Sequence, residues 1–157
     1  MLKVGIIGTG KIFNLNVLGY LDREDVEITC LCNRTPEKAE KKIQGFNLNP
    51  QTTVYSNYEE MLESEDLDIV EILLPNHLHA KPTIRAAEHG IRGISVQKPM
   101  ALTLDEADEM IETCERTGTI LSVYENFLFE PHVKKAKELL VQDYIGDLAS
   151  IRIKVAL

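Results

Sequence analysis

Residues 3–13 read KVGIIGTGKIF, and this stretch decides the fold. Its first half is an apolar run of the length of a strand buried on both faces, which is typical of a parallel sheet. The run breaks at Gly8 and Gly10, and a helical pattern follows. This arrangement indicates a dinucleotide-binding turn, because the first glycine permits a tight turn and the second lets backbone amides approach a pyrophosphate. Phe13 stands where a third small residue is usual. The turn alone is therefore equally compatible with a glycine link between strand and helix.

The composition narrows the class of protein. The chain has 157 residues, a net charge of -8 and three cysteines. Because the balance is acidic and no basic stripe is evident, we expect no nucleic acid partner. No apolar run approaches the roughly 20 residues that span a bilayer, and the start lacks a secretory signal pattern, so we expect no membrane partner and a cytoplasmic protein. We interpret Cys30, Cys32 and Cys114 as buried reduced thiols.

Strand and helix patterns alternate along the chain, which predicts an α/β fold with a Rossmann-type, doubly wound parallel sheet. After the first strand, further strands are predicted over 26–32, 53–55, 69–74, 94–97 and 120–124. Helices are predicted over 11–21, 36–46, 57–63, 79–89, 103–117 and 131–143. The last stretch, 151–155, alternates strictly between apolar and polar residues, which predicts a half-buried strand.

In an open parallel sheet, ligands bind beyond the carboxyl ends of the strands. The residues that follow each strand are therefore the candidate binding residues, although any such fold would supply a list of this kind. They include Gly8, Thr9, Gly10, Lys11, Ile12, Asn33, Arg34, Leu74, Pro75, Asn76, His79, Gln97, Lys98 and Asn126.

Four stretches in this order resemble the glucose-fructose oxidoreductase, inositol dehydrogenase and MocA family of NAD(P)-dependent oxidoreductases. They are VGIIGTGKI at 4–12, LPNHLH at 74–79, QKP at 97–99 with Leu102 and Thr103, and Gly146 after Tyr144 and Ile145. The resemblance covers nearly all of the chain. It implies a nucleotide-binding Rossmann domain over 1–126. It also implies that 127–157 is the helix and first strand of a truncated α+β second domain, whose remainder would supply the substrate wall.

The resemblance implies that Lys98 is the catalytic lysine, which contacts the substrate oxygen and assists proton transfer while a hydride moves to or from the nicotinamide. A lysine suits this role because its charge polarises a carbonyl group. By the same resemblance Asn76 lies beside the ribose and nicotinamide, and His79 lies at the start of the helix behind it. The implied substrate is a sugar, a polyol or a related secondary alcohol. The alternative is a dinucleotide-binding or sensing module without catalysis, which the absent second domain favours.

The end of the second strand indicates the choice of cofactor, because an acidic residue there binds the ribose 2′-hydroxyl and repels a 2′-phosphate. That position is Asn33, with Arg34 beside it and Lys38 one helical turn further on. Two cations near a neutral amide resemble the NADP-using members of the family. We therefore expect NADP, with NAD as the second choice, unless Arg34 and Lys38 simply face water.

Several further expectations follow from particular residues. His77 and His79 have no neighbours that complete a ligand set, so no metal site is expected. Gln97 replaces the usual glutamate, Leu128 stands where an arginine is common, and Phe13 is expected to loosen the pyrophosphate seat. We also consider a cis peptide bond between Lys98 and Pro99. Because a strand over 151–155 needs a sheet to cover its apolar side, we expect a homo-oligomer that associates through this end.

Overall fold

The computed structural model describes residues 1–154. The chain divides into two compact units, Met1–Tyr124 and Glu125–Leu157. None of the helices within residues 1–154 is both long enough and apolar enough to cross a membrane.

Six parallel strands form the sheet of the first unit, in the order β3-β2-β1-β4-β5-β6. The order reverses direction between β1 and β4, which is the topological switch point where such sheets bind ligands. The predicted doubly wound, Rossmann-type sheet is therefore confirmed. Its strands are β1 (Leu2–Ile7), β2 (Val26–Cys32), β3 (Thr53–Tyr55), β4 (Ile69–Ile72), β5 (Gly93–Val96) and β6 (Ile120–Val123).

Along the chain, the helices of the first unit alternate with these strands. They are α1 (Phe13–Asn16), α2 (Leu18–Leu21), α3 (Pro36–Gly45), α4 (Tyr58–Ser64), α5 (Ala80–Glu88) and α6 (Leu104–Thr117). Local signals set several of their ends. The Asn57 side chain accepts a hydrogen bond from the Glu59 amide at the start of α4, and the Thr103 hydroxyl accepts one from the Glu106 amide at the start of α6. Gly118 ends α6 in the left-handed conformation, with φ of 73°.

The prediction of one helix over 11–21 was wrong, since the structure has two helices of four residues each. Neither helix has a side-chain cap, and Gly19 lies inside the second. Glycine disfavours a helix interior, and very short helices depend on packing for their stability. Phe13 and Val17 are fully buried, so packing of these side chains holds the segment in place.

The inner strands of the sheet contribute buried residues to both of its faces, as their apolar runs predict. Ile7 and Cys32 belong to one cluster of buried residues, whereas Ile6 and Leu31 belong to another. The three cysteines are free and buried, as expected. Burial raises the pKa of the Cys32 thiol to about 11.

Phe13, which stands where a third small residue is usual, belongs to the core. Its ring is fully buried and meets the Phe46 ring edge-on, with the centroids 5.8 Å apart. The segment after the glycine turn therefore packs through an aromatic pair against Phe46, the residue that follows α3.

The second unit contains a short 3-10 helix, Asn126–Phe129, followed by α7 (Pro131–Val141). The strand predicted over 151–155 is not formed in the part of it that the structure describes, because residues 151–154 are irregular. Val155 lies outside the described residues. A strand needs a hydrogen-bonded neighbour, and the side chain of Ile153 is 81% exposed.

Candidate functional site

The predicted binding residues of the first unit lie at one edge of the sheet, because the carboxyl ends of parallel strands point the same way. Backbone hydrogen bonds continue across this edge just beyond the strands. The Gly8 amide donates to the Cys32 carbonyl over 2.9 Å, and the Leu73 amide donates to the Ile7 carbonyl over 2.8 Å. The Gln97 amide donates to the Ile72 carbonyl over 3.1 Å. The segments after β1, β2, β4 and β5 are thereby held side by side.

Gly8 is required by the fold. Its φ is +104°, and a Cβ atom there would lie 2.6 Å from the Leu73 carbonyl oxygen. A side chain would therefore be both strained and in collision with backbone. Gly10 differs, because a Cβ atom there would meet nothing within 4 Å. The protein itself does not need a glycine at this position, and the open space beside it suits the close approach of a ligand to backbone.

The turn is followed by a helix of only four residues. A macrodipole builds up from aligned peptide units, so α1 contributes less of it than the longer helix expected from the sequence. An anion at this turn would depend mainly on backbone amides around Gly10, Lys11 and Ile12. Lys11 is exposed, whereas Ile12 is partly buried against the core.

Asn33 joins the end of β2 to the turn. Its Nδ2 donates to Thr9 Oγ1 over 2.6 Å, and its Oδ1 accepts a hydrogen bond from the Thr35 amide over 2.9 Å. Thr9 is buried although it is polar. Arg34 and Lys38 are exposed, and neither forms an ion pair within residues 1–154. The position that would hold an acidic residue is therefore occupied by a neutral amide that is engaged in local structure.

A cleft of about 540 Å³ opens between the ends of β2, β3 and β4. Its wall is largely apolar, and within the described chain its lining contains no Asp or Glu. Arg34 and Lys81 supply positive charge. The complete lining is Ile7, Cys32, Asn33, Arg34, Ser56, Asn57, Tyr58, Leu74, His77, Leu78, Lys81 and Pro82.

Sequence reasoning missed part of this cleft. Ser56, Asn57 and Tyr58 directly follow β3, so the rule applied to the other strands would have found them. Lys81 lies in α5, where no local pattern marks it. Lys38, which the sequence offered as a second cation, is not part of the lining.

Lys98 and Pro99 follow β5, and the peptide bond between them is cis, as considered from the sequence. Lys98 is exposed. Its amide donates to the Oε1 of Gln97 over 2.9 Å. Gln97 therefore supplies an acceptor oxygen such as a glutamate would supply at this position, but without the negative charge.

Asn76 and His77 are exposed in a 3-10 turn after β4. The Oδ1 of Asn76 accepts a hydrogen bond from the His77 amide over 3.0 Å. Leu74 and Pro75 lead into this turn, and the Leu78 amide donates to the Pro75 carbonyl over 2.8 Å. The amide side chain that the family resemblance places beside the cofactor is thus held on a short, bonded turn.

His79 differs from its neighbours because its side chain is turned into the protein. It is 1% exposed. Its Nδ1 lies 2.9 Å from the Pro99 carbonyl oxygen, and its Nε2 lies 2.8 Å from the Leu74 carbonyl oxygen. Because a carbonyl oxygen only accepts, each contact is a hydrogen bond only when that ring nitrogen carries a proton, and both are hydrogen bonds only when the ring carries a proton on each nitrogen.

Sequence reasoning also missed Glu71, a fully buried carboxyl group in β4. Its Oε1 accepts hydrogen bonds from Asn16 Nδ2, over 2.8 Å, and from the Tyr124 hydroxyl. Within the described residues its Oε2 has no partner. Burial and the neighbouring Glu71 raise the pKa of Tyr124 to about 12, and the pKa of Tyr20 is also raised, mainly by burial. An acidic residue inside an apolar strand has no sequence signal that points to these partners.

The remaining predicted residue, Asn126, begins the 3-10 helix of the second unit. Among residues 1–154 no group of three or more potential metal ligands is close enough to hold an ion.

The fold and the residues at its carboxyl edge define a dinucleotide-binding domain. Residues 2–125 match the model of the GFO/IDH/MocA family, described as an oxidoreductase family with an NAD-binding Rossmann fold. Because this match covers most of the chain, the chain belongs to that family, and the resemblance seen in the sequence is confirmed.

Curated relatives agree with this assignment. An uncharacterized oxidoreductase of Streptococcus pneumoniae is 33% identical over 149 residues, which are 94% of this chain and 38% of the relative. A D-apiose dehydrogenase of Paraburkholderia graminis is 33% identical over 144 residues, which are 92% of this chain and 37% of the relative. The chain thus spans less than half the length of either relative.

A solved structure shows the same fold. An oxidoreductase from Agrobacterium radiobacter, in complex with NAD+, L-tartaric acid and magnesium, superimposes with a TM-score of 0.84 at 26% identity. The superposition covers 93% of this chain and 42% of that chain.

Proposed function

We propose that this chain is the nucleotide-binding part of an oxidoreductase that uses NADP(H) in preference to NAD(H). Its substrate is a sugar, a polyol or a related secondary alcohol or carbonyl compound. The observation that carries the proposal is the cleft between β2, β3 and β4, which is lined by Arg34 and by no acidic residue within the described chain. The family assignment supports a nicotinamide dinucleotide as the occupant.

The residues present fit such a cofactor. The open space at Gly10 admits a pyrophosphate against backbone amides, and Thr9 and Asn33 hold the turn in place. Arg34 offers positive charge to a 2′-phosphate from the lining of the cleft, whereas an aspartate at position 33 would repel it. The apolar wall of the cleft suits the adenine ring.

The bound nicotinamide would supply the hydride chemistry. Lys98 would donate a hydrogen bond to the reacting oxygen of the substrate, polarise it when it is a carbonyl, and exchange a proton with it when it is a hydroxyl. The Gln97 side chain would hold the Lys98 backbone in place through the 2.9 Å bond to its amide. Asn76 would orient the ribose and nicotinamide from the neighbouring turn.

The test of cofactor choice is a pair of fluorescence titrations of the chain with NADPH and with NADH. We expect tighter binding of NADPH. Tighter binding of NADH would overturn the NADP preference, and no binding of either would overturn the proposal as a whole.

A dinucleotide-binding or sensing module without catalysis is the second candidate. A dehydrogenase assay with a panel of sugars and polyols, on this chain and on any longer product of the gene, distinguishes the two. Turnover by the longer product alone supports the first proposal and assigns the substrate wall to the remainder.

We also propose a cytoplasmic homo-oligomer. The free cysteines support a reducing compartment, and the exposed side chains of Ile151 and Ile153 support association through the end of the chain. Sedimentation equilibrium at high concentration tests the association, and a clean monomer would contradict it.

A further inference from the structure

We infer that His79 is a positioning residue that couples the Asn76 turn to the Lys98 loop. The Asn76 turn consists of residues 73–78, and the Lys98 loop consists of residues 97–101. The functional meaning of this coupling rests on the proposed function, because that proposal gives the two segments their roles toward the cofactor and substrate. The coupling itself is a property of the chain.

The imidazole reaches both segments. Nε2 lies 2.8 Å from the carbonyl oxygen of Leu74, which precedes the Pro75-Asn76 pair. Nδ1 lies 2.9 Å from the carbonyl oxygen of Pro99, which follows Lys98. Each contact is within one or two residues of a side chain that the proposed function uses.

Few hydrogen bonds join the two segments, whereas Leu74 of the turn and Met100 and Ala101 of the loop pack against the same core cluster. The ladder between β4 and β5 ends with the hydrogen bond from the Gln97 amide to the Ile72 carbonyl. Beyond that bond, and within residues 1–154, the two hydrogen bonds of the His79 ring are the polar connection between the turn and the loop. This side chain therefore supplies the polar contacts between the turn and the loop beyond the end of the ladder.

The backbone of His79 is itself held firmly. Its amide donates to the Asn76 carbonyl over 3.2 Å, so the residue also closes the 3-10 turn. Its carbonyl accepts hydrogen bonds from the amide of Thr83, over 3.2 Å, and from the buried hydroxyl of Thr83, over 2.8 Å. The ring therefore belongs to a residue whose backbone is fixed by hydrogen bonds to the preceding turn and to the start of α5. We call the two contacts of this ring, with Leu74 and Pro99, the His79 clamp.

The burial of the ring separates this role from cofactor contact. A side chain that is 1% exposed and bonded through both nitrogens to protein carbonyls offers little surface to a ligand. The sequence placed His79 among the cofactor-binding residues. The geometry points to an action on the cofactor through Asn76 and Lys98.

Two substitutions separate the halves of the clamp. In His79→Asn the amide nitrogen occupies the place of Nδ1 along the side chain, so this variant keeps a donor for Pro99 and loses the donor for Leu74. In His79→Gln the amide nitrogen occupies the place of Nε2, so this variant keeps a donor for Leu74 and loses the donor for Pro99. His89→Gln is the matched control, because His89 is exposed.

Amide hydrogen exchange of the free protein is the readout. We expect His79→Gln to speed exchange about tenfold at Gln97 and Lys98, whose amides are hydrogen-bonded, since a lost hydrogen bond loosens its segment by that order. We expect His79→Asn to speed exchange by a similar factor at His77 and Leu78, whose amides are hydrogen-bonded within the turn. In each variant the exchange rates in the other segment should stay within about twofold of those of the unaltered protein. In His89→Gln the exchange rates in both segments should stay within that range. Unchanged exchange at Val4 and Ile6 of β1 shows that the fold is retained.

Faster exchange at both segments in both folded variants, or at neither, would overturn the inference. A measurement on the unaltered protein covers the case in which a variant fails to fold. With ¹⁵N-labelled histidine, we expect two ring N–H resonances of His79, one from each nitrogen, that are protected from solvent exchange. A single such resonance, or none, would overturn the clamp. Failure of NADPH and NADH to bind the unaltered chain would contradict the proposed function and leave the exchange result unaffected.

Discussion

The side-chain amide of Asn33 donates a 2.6 Å hydrogen bond to the hydroxyl oxygen of Thr9, which ties the end of β2 to the glycine turn after β1. The two residues lie 24 positions apart in the chain. Their contact means that the residue at the cofactor-discriminating position also supports the turn that would hold the pyrophosphate. A substitution at Asn33 therefore has a charge effect and a structural effect, which must be separated.

Asn33→Asp is expected to lower NADPH affinity about tenfold or more and to affect NADH much less. The new carboxylate repels a 2′-phosphate, and a like-charge contact of this kind costs about 1–2 kcal/mol. Fluorescence titration measures the dissociation constants of NADPH and NADH. Thr9→Val is the control, since it removes the hydrogen bond without adding charge. It should weaken the binding of NADPH and of NADH equally. Equal losses in Asn33→Asp would assign its effect to the hydrogen bond alone.

Arg34→Ala is expected to lower NADPH affinity about tenfold, because a charge-assisted hydrogen bond to a phosphate is lost. NADH affinity should stay within about twofold. Lys38→Ala tests the second cation expected from the sequence, and Lys41→Ala, also on the exposed part of α3, serves as the control. If Arg34→Ala weakens the binding of NADH as much as the binding of NADPH, the guanidinium group does not recognise the 2′-phosphate.

The two glycines of the turn are expected to respond differently to alanine. Gly8→Ala should destabilise the fold by about 2 kcal/mol or more, because it combines a strained φ with a 2.6 Å collision against the Leu73 carbonyl. Gly10→Ala should change the free energy of unfolding by less than about 1 kcal/mol and should weaken cofactor binding. Denaturant unfolding and cofactor titration measure the two effects. Loss of stability in Gly10→Ala without loss of binding would contradict the assignment of this open space to a ligand.

Lys98→Met is expected to lower kcat by about 10² to 10⁴, the range that proton transfer by a positioned side chain contributes. Cofactor affinity should change less than threefold. The measurement is steady-state kinetics on whichever form of the protein turns over a substrate, with Lys41→Met as the control. A Lys98→Met variant that keeps full activity would remove Lys98 from the proposed mechanism.

Stability is expected to fall in alkaline solution. The folded pKa of Tyr124 is about 12 and lies above its ordinary value of 10.0. The folded state therefore holds this proton more tightly, and the stabilisation is fully present below about pH 10 and is lost between pH 10 and 12. Tyr20 acts in the same direction, as do the buried thiols of Cys30 and Cys32.

Denaturant unfolding at pH 9, 10 and 11 measures this decline. Tyr124→Phe should make it less steep, although the variant also loses the hydrogen bond to Glu71 and starts from a lower stability. The exposed Tyr144 provides the control substitution, Tyr144→Phe. An unchanged slope in Tyr124→Phe would show that other groups govern the alkaline transition.

The sequence predicted most of the strands and helices because their signals are local. The helices predicted over 57–63 and 103–117 are confirmed, since Asn57 and Thr103 cap their starts and Gly118 ends the second through contacts within a few positions. The split of the first helix was missed because packing of Phe13 and Val17, rather than helix propensity, holds that segment. The strand over 151–155 was predicted from alternation alone, and alternation does not supply a neighbouring strand.

By itself, the sequence determined the class of fold, the family and the edge of the sheet where the candidate residues lie. Apolar runs, turn glycines and strand ends are written in consecutive residues, so these features need no knowledge of distant contacts. Only the tertiary structure decided that Asn33 is tied to Thr9, that Glu71 is buried against Tyr124, and that His79 faces Leu74 and Pro99. Each of these contacts joins residues that the folding of the sheet brings together, and a hydrogen bond forms only when both partners are in place.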